Sequence, residues 1–442
     1  MGFTYGLAVL LVIFEGIIIQ CEGAPKRLQN VTVLSDDVIE SIISKTDFKT
    51  IHDAIRSYIV PANNIVMERI LQNHIIVINQ EFSDEIIEFY LEGDSFLMFG
   101  NYQRLGSFFE RFGDHVKRIQ VDLEEGSDIQ SEKIIQNIFK KYAKKIEELR
   151  ISTDDDDERF WKEILDGENG ITFPEVKKFQ IKGQSNRNPL KLNLIFPKLE
   201  YFILIGDVAD VNCLNNVKGL KELRLDTYLI RENQFEDIFK NNHNLTKIYL
   251  SNPEMAETMR SIAKHLKNLK TLEVGDPVTQ FGMNFQEMDE IFENANLSFD
   301  MPNLKKLTLD GRRTNGQIIN FINRFEKLEM VELFMVKYDV VNCIEKLKHI
   351  NEFTTDFDED TFDFLKNIFE RFDKESKLQT VKLIDFPETT FEDYEKDIKE
   401  LNIKLKTSMK PTWKLSQGEQ IQTRRNYMMF KREPFTCKYS KK

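Results

Sequence analysis

The chain has 442 residues, 41% of them hydrophobic and 35 of them Phe, so the side chains for a large core are abundant. A net charge of -12, with 30% charged residues, predicts a soluble protein and excludes a general nucleic-acid binder, which needs a basic surface to meet phosphates. There is no Gly-x-Ser-x-Gly, phosphate-binding loop, His-Glu-x-x-His or Cys-x-x-Cys, so the chain reads as a non-enzyme with no catalytic residue, metal ligand or cofactor site.

Residues 1–23 read as a signal peptide. Gly6 to Phe14 is an apolar run, and small residues at Cys21 and Gly23 fit cleavage before Ala24. The run is short of the roughly 20 residues that span a bilayer, so no membrane span is expected. The expected location is therefore secreted, with cytoplasmic as the alternative. Four cysteines, Cys21, Cys213, Cys343 and Cys437, lack the clustered spacing of a disulfide framework, so the body looks built for a reducing compartment.

Residues 24–95 are expected to be helical. Val38, Ile39, Ile42 and Ile43 form one stripe at helical spacing, Asp47-Phe48-Lys49-Thr50 a turn with Asp47 as N-cap, and Ile51, Ile55 and Tyr58 a second stripe ended by Pro61. The run Leu34 to Phe48 resembles the opening of an F-box, with its acidic pair, apolar helix and Asp-Leu-like turn. That resemblance implies binding to a Skp-type adaptor through Leu34, Val38, Ile39, Ile42, Ile43 and Phe48.

From residue 96 to 406 a Leu-x-x-Leu-x-Leu pattern recurs, starting at Val116, Ile146, Val176, Leu199, Leu220, Leu245, Leu269, Leu304, Leu328, Ile350 and Leu378, with Ile350 the least regular. The starts fall 21 to 35 residues apart, mostly near the roughly 20 to 29 residues of leucine-rich repeats. Each copy alternates as a half-buried strand does, so Leu223 and Leu225 face the core while Glu222, Arg224 and Asp226 face out. Helices are expected within 128–149, 234–245, 254–266, 317–328 and 361–372. Pro174, Pro197 and Pro302 each stand just ahead of a strand and stop what precedes it.

The fold class that follows is α/β: a leucine-rich-repeat solenoid, a curved parallel sheet with outer helices, after the small F-box-like region. Three residues beyond the strands stand Asp207, Tyr228, Pro253, Pro277 and Arg312, so no asparagine ladder is expected there. In this the chain resembles the irregular, helix-rich class of leucine-rich repeats found in ribonuclease inhibitors and F-box substrate receptors. The concave strand face should bind a protein target, with Tyr201, Arg224, Tyr249 and Phe334 as the expected anchors, since Tyr and Arg are common at interface centres.

Residues 407–442 carry nine Lys or Arg against two Glu and are expected to form a basic tail, either solvated or capping the repeats. The acidic runs at Asp154 to Glu158 and Asp356 to Asp360 lack the glycine and distal Glu of a calcium loop and read as solvated. Three N-glycosylation triplets start at Asn30, Asn244 and Asn296.

The block Phe96 to Val121 resembles the lead-in to the first repeat of many insect F-box and leucine-rich-repeat proteins. With a signal peptide ahead, the whole is similar to the secreted F-box and leucine-rich-repeat salivary effectors of gall-forming insects. The resemblance implies a substrate receptor that recruits a target to a Skp-cullin ubiquitin ligase inside a host cell. The alternative is a secreted leucine-rich-repeat recognition or inhibitor protein with no ligase role.

Overall fold

Period-two alternation sets one face of a strand against a core and leaves the other open, and this pattern recurs across the chain. The computed structural model describes residues 71–72, 74–79, 91–92, 94–99, 102–122, 129–153, 164–165, 170–183, 190–206, 211–227, 235–251, 255–275, 301–310, 322–323, 325–334, 349–356, 369, 377–384, 391–407, 412–420 and 425–432. The chain divides into two compact units, Met1–Ile119 and Gln120–Lys442. Leu34, Val38, Ile39, Ile42, Ile43 and Phe48 lie outside the described residues.

In the first unit, β1 (Ile75–Asn79) runs parallel to β3 (Asp94–Phe99), and the short β2 (Leu91–Glu92) runs antiparallel to β3. Within the stretch 24–95, expected to be helical, Ile75–Asn79 is thus a strand. Its run Ile75, Ile76, Val77 and Ile78 is entirely β-branched, which stiffens χ1 and favours the extended backbone. All four are buried, as in a strand covered on both faces. Helix α1 (Tyr102–Phe112) buries Leu105, Phe109 and Phe112. Strand β4 (Arg118–Asp122) contains the division between the units.

The second unit is α/β, with a long, mostly parallel, open sheet and few helices among its described residues, an architecture compatible with a solenoid. Its parallel strands are β5 (Glu148–Thr153), β6 (Lys178–Gly183), β7 (Tyr201–Ile205), β8 (Glu222–Asp226), β9 (Lys247–Ser251), β10 (Thr271–Gly275), β11 (Lys306–Asp310), β12 (Met330–Phe334), β13 (Glu352–Asp356) and β14 (Thr380–Ile384), paired in chain order. Each is one copy of the sequence pattern, and the irregular copy at Ile350 pairs in parallel with both neighbours. Helices α2 (Ile129–Tyr142), α3 (Leu192–Ile195), α4 (Phe235–Asn241) and α5 (Met255–His265) lie between strands. Of the helix expected at 317–328 the described half is helical only at Ile322 and turns through 325–328 toward β12, while 361–372 is described only at Phe369.

The register is held by a repeated backbone device. The carbonyl just before each strand accepts two amides from the next copy: Lys221 O takes Thr246 N and Lys247 N, Thr246 O takes Lys270 N and Thr271 N, and Lys270 O takes Lys305 N and Lys306 N, at 2.8–3.2 Å. A one-residue slip would turn every inward Leu to solvent, at about 1.5–3 kcal/mol for each large side chain exposed. Between the early copies the core is aromatic: Phe139 meets Phe173, Phe173 meets Phe196, and Phe196 lies 4.4 Å from Phe179 by ring centroids.

The stretch expected as a basic tail supplies structure. Helix α6 (Phe391–Thr407) leads to β15 (Trp413–Gln420) and β16 (Arg425–Arg432), an antiparallel pair whose β16 adds to the edge at β14. Trp413 stacks on Phe369 at 4.3 Å, and Phe430 is fully buried beside the same ring. Asn402 on α6 fixes the entry to this pair, its amide donating to Trp413 O at 2.6 Å while its Oδ1 accepts from Trp413 N at 2.9 Å. A parallel sheet that ended at β14 would expose unpaired backbone, and an antiparallel hairpin covers it.

Candidate protein-interaction face

Inward residues such as Phe202, Leu204, Leu223, Leu225, Ile248 and Leu250 are buried, so the residues between them share the opposite face. In register, one row across that face runs Ile203, Arg224, Tyr249, Glu273, Thr308, Glu332, Thr354 and Lys382, and a second runs Tyr201, Glu222, Lys247, Thr271, Lys306, Met330, Glu352 and Thr380.

Much of the charge on this face is neutralised within it. Glu148 binds Arg150 at 2.7 Å and Lys178 at 3.0 Å, Glu222 binds Lys247 at 3.0 Å, and Asp226 binds Arg224 at 3.2 Å. Farther along, Lys306 sits 2.9 Å from Glu332 and 3.6 Å from Glu273, while the Thr308 hydroxyl donates to Glu332 at 2.7 Å. Burial pulls the Lys306 ammonium down, but Glu332 and Glu273 outweigh it and hold its pKa above the ordinary value. Lys382 pairs with Glu352 in the same way.

Strand β7 interrupts this lattice. Tyr201, Ile203 and Ile205 bring no charge to the face, and all three are only half-buried. Their register neighbours are Lys178, Gln180 and Lys182 on one side and Glu222, Arg224 and Asp226 on the other. Beside them the Arg224 guanidinium lies over the Tyr249 ring, 4.3 Å from its centroid, and pairs with Asp226 at 3.2 Å. An apolar strip beside the paired charges of Lys178, Glu222, Arg224 and Asp226 leaves few lone ions to desolvate.

Three of the four expected anchors, Tyr201, Arg224 and Tyr249, therefore lie on consecutive strands, while Phe334 ends β12, three strands beyond Tyr249, or about 14 Å at the usual strand spacing. Ile203 and Ile205, at the outward positions of the same strand as Tyr201, complete the patch. Apolar residues at outward positions of β7 were the signal for them, whereas the cross-strand ion pairs needed the register.

One constellation looks like chemistry and acts as a clamp. On α4, Glu236 accepts from Ser261 Oγ at 2.8 Å, Lys264 Nζ at 2.5 Å and His265 Nε2 at 2.7 Å, all on α5. Lys264, then His265 and Ser261, hold the Glu236 carboxyl down at about 2 against the desolvation that would raise it. The serine hydroxyl points at the carboxylate and not at the imidazole, so the set lacks the nucleophile-to-base order of a catalytic triad.

No protein-family model matches the chain, and no curated protein matches it. Among the described residues no group of three or more His, Cys, Asp or Glu could hold a metal ion, and no helix is long and apolar enough to cross a membrane.

Proposed function

We propose that the chain is a non-enzymatic leucine-rich-repeat protein that binds a protein target on the strand face centred on β7 to β9. The half-buried strip of Tyr201, Ile203 and Ile205 beside the Arg224–Tyr249 stack carries this reading. Aromatic and aliphatic groups on a sheet, beside the ion pairs Lys178–Glu148, Glu222–Lys247 and Arg224–Asp226, have the composition of an interface centre with its polar rim. The two-amide carbonyl rung, found nine times from Glu147 to Asn351 among the described residues, supports a solenoid frame for that face.

The finer function rests on the likeness of Leu34 to Phe48 to an F-box. In this reading the N-terminal helices dock on a Skp-type adaptor, the repeats hold the target, and the protein supplies proximity for ubiquitin transfer without chemistry of its own. A cleaved signal peptide would make it a secreted effector that works in a host cell, with neither metal nor cofactor.

The experiment is a pull-down of Ala24–Lys442 with purified Skp-type adaptors, beside the double variant Val38→Glu and Ile42→Glu that circular dichroism shows folded. Retention of the adaptor by the parent chain and its loss in the variant is the expected result. No retention by either would leave a secreted repeat protein that recognises or inhibits its target outside any ligase.

A further inference from the structure

Beside the strand face, at the edge where β9 to β12 begin, an open groove of about 510 Å³ is lined by Asn244, Thr246, Asn268, Lys270, Asn303, Lys305 and Lys327. In a chain of net charge -12 this lining contains three ammonium groups, three primary amides, one hydroxyl and no carboxylate. The repeat explains the juxtaposition. Asn244, Asn268, Asn303 and Lys327 each stand immediately before the first Leu of their copies, and Thr246, Lys270 and Lys305 immediately after it, so the register stacks them in two rows.

The groove is rigid where it matters. Thr246 O, Lys270 O and Lys305 O each accept two amides from the following copy, and Leu245, Leu269, Leu304 and Leu328 N–H each close a turn onto the carbonyl three residues back. The charges are only partly engaged. Lys305 pairs with Glu329 at 2.9 Å where both are more than half exposed, Lys327 donates to Asn303 Oδ1 at 3.4 Å, and Asn303 donates to Lys267 O at 3.0 Å. Exposed pairs of this kind exchange readily for a better anion.

We infer that this edge groove binds an extended, acidic peptide segment of a partner protein. Lysines supply the charge that carboxylates need, and each asparagine amide offers a donor and an acceptor, the pairing that a peptide backbone presents. Four strand starts span about 14 Å, which accommodates about four residues of extended chain. The surrounding negative charge disfavours a long polyphosphate, which must lay down many phosphates at once, so a short acidic peptide is the better fit. This groove goes beyond the strand-face reading and does not depend on it.

The test uses the full chain from bacteria, so that the Asn244-Leu245-Thr246 triplet stays unmodified, and fluorescence anisotropy of a short labelled peptide of alternating glutamate and serine. The expected result is binding that weakens with salt, is absent for the glutamine version of the peptide, and becomes about tenfold weaker or worse in Lys270→Glu with Lys327→Glu. Lys399→Glu, on α6, should bind as the parent chain does. Asn268→Leu should weaken binding without changing its salt dependence. The proposal fails if the glutamine peptide binds equally well, if the double variant, folded by circular dichroism, binds unchanged, or if a single-stranded oligonucleotide displaces the peptide at lower concentration than unlabelled peptide does.

Discussion

The Leu220 amide donates to the side-chain Oδ1 of Asn242, one copy farther along, at 3.0 Å. In the copies starting at Val176, Leu199, Leu245, Leu269, Leu304 and Leu328 the equivalent amide bonds to a carbonyl three residues back. At Leu220 the preceding Gly219 takes φ +90, which opens that turn, and Asn242 inserts its amide group into the gap, donating to Val217 O at 3.0 Å. The same nitrogen donates to Ile238 O at 2.9 Å. One fully buried amide thus repairs a broken turn across two repeats.

Replacing it should be costly. Asn242→Ala leaves a buried N–H and a carbonyl unsatisfied and should lower unfolding free energy by about 2–4 kcal/mol. Urea denaturation measures this, and a loss under 1 kcal/mol would mean that water or local rearrangement replaces the amide.

Gly206 follows β7 directly and adopts φ +123, with its N–H donating to Asp226 O at 2.8 Å. A Cβ there would meet Gly183 O at 2.0 Å, a backbone atom that cannot swing aside. Gly206→Ala should therefore destabilise by about 2 kcal/mol or more through the forced backbone shift and the unfavourable φ. Since Ile205 precedes it, target binding should fall along with thermal stability.

The Glu236 clamp sets a pH dependence with a definite sign. Its folded value of about 2 lies below the ordinary 4.5, so its contribution is present above pH 4.5 and is lost as pH falls through that value toward 2. Because the carboxylate is 44% exposed, solvent screening limits the effect to about 1 kcal/mol or less. The stability difference between the parent chain and Glu236→Gln, measured in urea, should shrink as pH falls below 4.5 and be largely lost by about pH 2.

The closing hairpin depends on Asn402. Asn402→Ala removes both bonds to the Trp413 backbone and should cost about 1–3 kcal/mol, with earlier loss of Trp413 fluorescence than of helical circular dichroism. Simultaneous loss of the two signals would show that β15 and β16 unfold only with the whole sheet.

How much of this was legible depended on whether a signal repeats. Alternation at Leu220, Leu223 and Leu225 recurs, so the strands could be placed from sequence, and outward Tyr201, Arg224 and Tyr249 followed from the same period. Asn242 was invisible because it stands three residues before the first Leu of its copy, where Phe173, Phe196 and Phe325 occupy the same place. Its polar role arises from a defect in the preceding copy. Trp413 and Phe430 fell within a stretch dominated by nine cations, although the alternation of Trp413 and Leu415 with Lys414 and Ser416 and the apolar run Tyr427 to Phe430 mark strands there. The edge groove had a signal of its own, an Asn-Leu pair at 244, 268 and 303, which counts only once the copies are stacked.

The most direct test of the central claim compares proteins captured by the parent chain, by Val38→Glu with Ile42→Glu, and by Ile203→Glu with Tyr249→Ala, all verified as folded. Quantitative mass spectrometry should show one set of partners lost only in the Ile203 and Tyr249 variant, and Skp-type adaptor lost only in the Val38 and Ile42 variant. Partners that remain equally enriched on the Ile203 and Tyr249 variant would contradict a target-binding strand face.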